Sequence, residues 1–400
     1  MTTSIIQISL AFFIGLIIVF YAIPVIVRIS IAKHLYDVPN ERKVNKTVIP
    51  NLGGVALFIG ISIGTMIGIL KNAFPDWRFI SSGMIILFFI GLKDDVLVIS
   101  ARKKFAAQFL SAFILILLGD IRLTSLHGIL GINEISYSLS VFVSLLAIVG
   151  TINAINLIDG IDGLAASIGI FSSLILGVIF LNTDQINYAV LCFATVGSLI
   201  SFLMYNVFGT SNKIFMGDTG ALLLGLLLSV FVIKYNEISN TLGDEARNFS
   251  PIFSLAILAV PLFDMVRLFT VRIIKKKSPF AADINHIHHK LLRIGLSHQA
   301  STFFITLANL IIIGIIYITG NLNNHFSLLI LISTIVIFWL IPGFIYEYKK
   351  TRNRYLHHIN FRHETDSKFN RSELLTTELS GKKKVGKKNQ LSKPNISVHR

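Results

Sequence analysis

Apolar runs of about 20 residues recur from one end of this chain to the other, and that pattern decides the class of fold. At about 1.5 Å of rise per helical residue, each run matches the roughly 30 Å hydrocarbon core of a bilayer. Composition agrees: 53% of the 400 residues are hydrophobic and only 14% charged, where a soluble domain carries about 25% charged residues. The runs do not alternate in polarity, which excludes a transmembrane β-barrel. The sequence therefore predicts an all-α polytopic integral membrane protein with about 10–11 transmembrane helices. The first run, from Ile5 to about Val27, has no basic segment before it and no small-residue cleavage site, and reads as a retained helix. The single cysteine, Cys192, lies in an apolar run, so no internal disulfide framework exists.

Eleven spans are expected, at roughly 5–28, 52–70, 79–92, 104–118, 138–152, 164–181, 187–205, 219–235, 251–271, 303–319 and 325–346. The third, fourth and fifth are short for full crossings unless they extend into neighbouring polar residues. Alternating the loops gathers nearly all Lys and Arg into one set: 29–51, 93–103, 153–163, 206–218, 272–302 and everything after the last span. The other set has only Lys71, Arg78, Arg122 and Arg247. The positive-inside rule then puts the N-terminus outside and the basic loops in the cytoplasm. A membrane domain over 1–348 and a basic, disordered cytoplasmic tail over 349–400 are expected. From Thr351 to Arg400, twelve Lys/Arg stand against four Asp/Glu, a surplus of eight. Anionic lipid is the expected partner of this charge. Nucleic acid is not, because no aromatic or motif framework accompanies it. A homodimer is the assembly entertained.

Against this apolar background the acidic residues stand out. A carboxylate at membrane depth is costly unless it faces water, a metal or a cation, so it marks a functional site by default. Asp94 and Asp95 close the third span, just before Arg102, Lys103 and Lys104. Neighbours on a helix point about 100° apart, so one carboxylate can face a site while the other bonds to its supports. Taken alone, the pair also fits a helix end stabilised by lysines. Asn153, Asn156, Asp159 and Asp162 recur every third residue. Four such positions drift by about 60° per step and cannot converge on a straight helix, so Gly160 and Gly163 are expected to let the segment unwind around a polar cavity. Amide and carboxylate oxygens are the hard ligands that Mg²⁺ prefers, with phosphate and water completing its shell. Asp218, between Gly217 and Gly220, precedes an apolar helix that it is placed to cap. The loop 272–302 carries Arg272, Lys275, Lys276 and Lys277, then Asp283, His286, His288 and His289. These histidines could hold zinc, but no cysteine supports that; donation to phosphate or sugar oxygens fits better. His127 and His325 fall in outside loops and are assigned no role. The loop after the first span runs Asp37-Val38-Pro39-Asn40-Glu41-Arg42-Lys43, with Gly53-Gly54 beyond. Arg42 and Lys43 suit phosphate, anionic lipid or a simple positive-inside anchor.

In this order the five motifs (DxPNxRK with Gly-Gly, the Asp-Asp pair, NxxNxxDGxDGL, FMGDTG and HIHH) resemble the polyprenyl-phosphate N-acetylhexosamine-1-phosphate transferase family over roughly residues 35–300. The HIHH form favours its undecaprenyl-phosphate GlcNAc-1-phosphate branch over the peptidoglycan-precursor transferases, whose late loop usually reads His-His-His. The resemblance implies transfer of a sugar-1-phosphate from a UDP-N-acetylhexosamine to undecaprenyl phosphate, with release of UMP, at the bacterial inner membrane. It implies Asn156 and Asp218 as ligands of Mg²⁺, with Mn²⁺ as an alternative ion. It implies Asp94 as the base acting on the lipid phosphate, with Asp95 and Asp159 as further essential acids. Substrate contacts fall to Lys104, Asn153, Asp162, His286, His288 and His289. Asn45 and Asn51 depart from the family, where His and Arg are common, and this sets the first loop apart. Two other classes fit the intramembrane acids: a cation-coupled transporter and a membrane diphosphatase. No internal repeat supports the transporter.

Overall fold

The computed structural model describes residues 2–35, 49–69, 73–241, 251–277, 286–320 and 322–352. The expectations for Asp37 to Asn45, for Lys71, Arg247 and Asp283, and for the tail from 353 onward lie outside the described residues. The compact unit over Met1–Pro342 is almost entirely helical. Within the second unit, residues 343–352 are helical. In chain order the helices are α1 (Thr2–Ala32), α2 (Gly53–Gly68), α3 (Trp77–Leu97) and α4 (Ala101–Phe113), the last running on as a π-helical turn, Ile114–Leu118. Next come α5 (Tyr137–Ile158), α6 (Leu164–Asn182), α7 (Ile186–Phe208) and α8 (Gly217–Thr241). Then follow α9 (Pro251–Ile257), α10 (Ala259–Ile274), α11 (Ile287–Ile294), α12 (His298–Ile318) and α13 (Asn324–Arg352). Among the described residues, seven helices are long and apolar enough to cross a membrane, and the bent pair α9–α10 makes an eighth. This is the polytopic helical architecture that the apolar runs predict.

Helix α8 forms the core. Its residues from Ala221 to Leu224, Leu226 to Leu228, Val230 and Phe231 are all buried, as expected of a helix apolar on every face. It packs against α3 and α5, while α1, α2, α6 and α7 pack together beside it. The exposed apolar side chains of α1, among them Phe13, Ile17 and Tyr21, are the surface a bilayer would cover.

The third and fifth spans reach full length by running on into the neighbouring polar residues, α3 through Asp94 and Asp95 and α5 through Asn153 and Asn156, as the sequence allowed. Only 159–163 leaves the helix, since the polar side chains before it find partners on other helices and need no unwinding. The expected outside loop 119–137 contains a two-stranded antiparallel hairpin, β1 (Ser125–Ile129) and β2 (Ile132–Glu134). It is tied down where Glu237 accepts bonds from the Thr124 N–H and hydroxyl, at 2.8 and 2.7 Å. The ninth span is broken at Leu258, with a bend of 78° between α9 and α10. The cause is Pro261, which has no N–H to give to Ile257 four residues earlier. Asn309 of α12 takes up the freed groups: its Nδ2 donates to the Ile257 carbonyl at 3.1 Å and its Oδ1 accepts from the Val260 N–H at 3.2 Å. Replacing Asn309 by Leu strands both groups in a buried setting, so a loss of about 2 kcal/mol is expected. Thermal unfolding of the detergent-solubilised protein would show it, and an unchanged midpoint would contradict the bracing role.

Candidate active site

The acidic pair at the end of α3 divides its labour. Both oxygens of Asp95 are spent on the start of α8: Oδ1 accepts from the Asp218 N–H at 2.8 Å, and Oδ2 from the Thr219 N–H at 3.0 Å and its hydroxyl at 2.6 Å. Asp95 therefore caps α8 from another helix, satisfying N–H groups that a helix start leaves open. Asp218 therefore does not cap its own helix, one of the readings its position left open, and its side chain turns to other partners. Gly217 makes the arrangement possible. Its φ is +70°, and a Cβ there would collide with the Asn51 carbonyl and the Asp95 carboxylate. Asn51 in turn donates to the Asp95 carbonyl at 3.2 Å. The segment before α2 is pinned alongside: Phe215 N donates to the Pro50 carbonyl at 2.8 Å, and Gly53 N to the Phe215 carbonyl at 3.0 Å.

Asp94 faces the other way. Its Oδ1 accepts from the Ile99 N–H at 2.6 Å, while Oδ2 pairs with Lys104 of α4. The Lys104 ammonium also lies 3.0 Å from Asp218 Oδ1, to which Asn156 Nδ2 donates at 2.6 Å. Asp94, Lys104, Asn156 and Asp218, drawn from four helices and from positions 124 residues apart in the chain, thus share one contact network. Asn153 stands beside this network and not in it. Its amide pairs with the buried Gln108 of α4 at 2.7 Å and with the Val149 carbonyl, locking α4 to α5. Gln108 was missed in the sequence because an uncharged residue inside an amphipathic stretch carries no signal of its own.

The unwound segment 159–163 is held from both sides. Asn206 Oδ1 accepts from the Gly163 N–H at 2.6 Å, and Asn206 Nδ2 donates to the Ile214 carbonyl at 2.8 Å. Asp162 pairs with Lys213 at 2.6 Å, lies 3.6 Å from His298 Nδ1, and offers its carbonyl to Thr302. Burial alone would raise the Asp162 carboxyl, but the His298 and Lys213 partners hold it below the usual range. Among the described residues Asp159 has no such partner. Burial, then the charges of Asp218, Asp95 and Asp162, push its carboxyl up to about 7. It is the group in this site most in need of a cation.

The HIHH motif closes the site. His288 of α11 packs directly on Gly160, where a Cβ would strike the imidazole. Burial, followed by repulsion from His289 and His286, lowers the His288 ring to about 3, so it is neutral at physiological pH. The ring of His286 stacks on His288 at 5.2 Å, and His289 lies 4.3 Å from His288. Behind them, Asp264 of α10 holds the start of α11: its Oδ2 lies 2.9 Å from His286 Nδ1 and its Oδ1 accepts from the Ile287 N–H at 3.2 Å. Asp264 went unremarked in the sequence, although an acid inside the ninth apolar run carried the same signal as the others.

Among the described residues no three Asp, Glu, His or Cys converge tightly enough to hold an ion by themselves. The donor set nevertheless suits Mg²⁺, which binds through one or two carboxylates and takes its remaining ligands from water and substrate phosphate. Asn156 and Asp218 are in contact, and Asp159 carries unrelieved repulsion beside them.

The glycosyl transferase family 4 profile matches residues 77–236, which run from the start of α3 to near the end of α8 and so contain Asp94, Lys104, Asn156 and Asp218. An undecaprenyl-phosphate alpha-N-acetylglucosaminyl 1-phosphate transferase of Salmonella typhi is 30% identical over 324 residues, covering 80% of this chain and 85% of that protein. A probable undecaprenyl-phosphate N-acetylglucosaminyl 1-phosphate transferase of Bacillus subtilis (strain 168) is 33% identical over 312 residues, 76% of this chain and 83% of its own length. Another relative, from Escherichia coli O157:H7, is 31% identical over 277 residues, 68% and 73% of the two chains. Likeness of this extent, running through every element that builds the site, makes the chain a member of glycosyl transferase family 4, among its polyprenyl-phosphate N-acetylhexosamine-1-phosphate transferases.

Proposed function

We infer that this protein transfers N-acetylglucosamine-1-phosphate from UDP-N-acetylglucosamine to undecaprenyl phosphate and releases UMP. The observation that carries the reading is the single network of Asp94, Lys104, Asn156 and Asp218, which sets a lysine ammonium between two carboxylates and an amide against the second of them. Phosphoryl transfer asks a protein for charge neutralisation and in-line positioning more than for covalent help. In the proposed reaction an oxygen of the lipid phosphate attacks the phosphorus that bears the sugar. The bond from that phosphorus to the bridging oxygen breaks, and its electron pair leaves with UMP. Asp94 accepts the proton of the lipid phosphate, and the Lys104 ammonium balances the diphosphate charge. Asn156 and Asp218 would hold Mg²⁺, with Asp159 facing it. A divalent cation bound there supplies neutralisation of charge on the leaving UMP. The HIHH helix, laid on Gly160, supplies imidazoles that hydrogen-bond to the phosphate and sugar groups. The active end lies on the cytoplasmic side of a bacterial inner membrane, with the N-terminus outside; the distribution of Lys and Arg among the loops supports this orientation.

The test is lipid-dependent release of UMP from UDP-N-acetylglucosamine by purified protein with Mg²⁺. Release without lipid would mean a hydrolase, and no release would sink the transferase reading. Protein phosphorylated by the UDP-sugar alone would contradict direct attack. The pH dependence has a defined sign. Asp159 is largely protonated below pH 7, so a cation must displace its proton. The Mg²⁺ affinity should rise by about tenfold per pH unit below 7 and level off above it. A half-saturating concentration that stays flat from pH 5.5 to 7 would remove Asp159 from the cation site.

A further inference from the structure

We propose that Asp264 is a positioning residue that fixes the tautomer of His286, and through it the donor and acceptor pattern that the HIHH helix presents to the substrate. The inference rests on the transferase reading for its effect on the reaction. It stands on geometry for its chemistry.

Asp264 is 1% exposed and lies on the buried stripe of α10, between Pro261 and Leu268. Its two oxygens do two separate jobs. Oδ1 accepts from the Ile287 backbone N–H and so caps α11, an anionic group at a helix start. Oδ2 lies 2.9 Å from His286 Nδ1. A carboxylate only accepts, so the imidazole nitrogen facing it must carry a proton. The other ring nitrogen, Nε2, makes no hydrogen bond to any described residue. It is therefore the atom His286 can offer to a ligand, and Asp264 decides its state. With Nδ1 protonated, Nε2 is an acceptor when the ring is neutral and a donor only when the ring is charged. The same contact fixes the plane of the ring. His286 lies parallel to His288 within 13°, and His288 rests on Gly160, so the orientation set by Asp264 passes by stacking to the segment that carries Asp159.

Asp264→Asn separates the two jobs. The amide oxygen still caps Ile287, but the amide NH₂ faces His286 and drives the proton from Nδ1 to Nε2. A group that matters only as a cap tolerates this change; one that sets a tautomer does not. Full-length protein with ¹⁵N-labelled histidine, in lipid nanodiscs, would report the state of Nδ1, with His286→Gln assigning the signal by difference. The expected result is a protonated Nδ1 in the wild type and an unprotonated Nδ1 in Asp264→Asn. The thermal midpoint should be retained, while kcat for lipid-dependent UMP release falls by about a hundredfold. Activity within threefold of wild type in a folded Asp264→Asn protein would overturn the proposal, as would an unprotonated Nδ1 in the wild type. If the variant does not fold, the wild-type spectrum alone decides. If the wild type releases no UMP, the transferase reading fails, while the spectrum still decides whether Asp264 holds the His286 proton.

Discussion

Asp218→Asn should abolish lipid-dependent UMP release, with a loss of about a thousandfold or more, while the protein still inserts, folds and elutes as the wild type does. Asp218 is the meeting point of the network. Lys104 lies 3.0 Å and Asn156 2.6 Å from the same oxygen. The substitution keeps the shape but removes the negative charge opposite Lys104. Removing one preorganised electrostatic group from a phosphoryl- or acyl-transfer site typically costs about 10²–10³ in kcat, and loss of the proposed cation adds to that. Folding should survive, because the cap of α8 is supplied by Asp95 and uses the Asp218 backbone, not its side chain. Measuring UMP release alongside the thermal midpoint separates the two effects. Activity within tenfold of wild type would place the chemistry elsewhere.

Asp95→Ala should behave in the opposite way, failing first as a protein and only then as an enzyme. Three donors of α8, two backbone N–H groups and the Thr219 hydroxyl, rest on this one carboxylate. They sit at a packed junction of α3, α8 and the segment before α2, where no other described side chain takes their place. Buried donors left without partners cost about 1–3 kcal/mol each, so a destabilisation of about 3 kcal/mol or more is expected. Asp95→Asn keeps one acceptor oxygen and should lose roughly half as much. The thermal midpoints of the two variants, read together, check this. If Asp95→Ala unfolds as the wild type does but is inactive, then Asp95 acts on the substrate and not on the fold.

These two outcomes also mark how far the residues could be read in advance. An acid pair at a span end, four Asn/Asp at intervals of three, and a late run of histidines were conspicuous because hydrocarbon makes every polar group costly, so each one carries information. The contrast with their apolar surroundings was enough to nominate Asp94, Asp95, Asn156, Asp159 and Asp218. It was not enough to divide their roles. Asp95 and Asp218 look alike in sequence, yet one caps a helix and the other faces the site. Asn153 and Asn156 lie one turn apart on α5, yet Asn153 pairs with Gln108 and Asn156 with Asp218. Asp162 looks like a twin of Asp159, but Lys213 pairs with it and His298 lies beside it. The unwinding expected from the spacing of three occurs only at 159–163, because partners on α4 and α8 satisfy the amides within a regular helix.

What the chain by itself determined is the class of fold, the candidate residues and the family, since these depend on composition, on periodicity and on residues that stay adjacent in any folded form. What only the tertiary structure decided is the assignment of roles: which carboxylate is consumed by a helix start, where the ninth span bends, and which acid stands behind the histidines. The physical reason is that a carboxylate has few lone pairs, and what remains for chemistry is whatever neighbouring helices have not already taken. Those neighbours come from distant parts of the chain, so their claims appear only when the helices are packed.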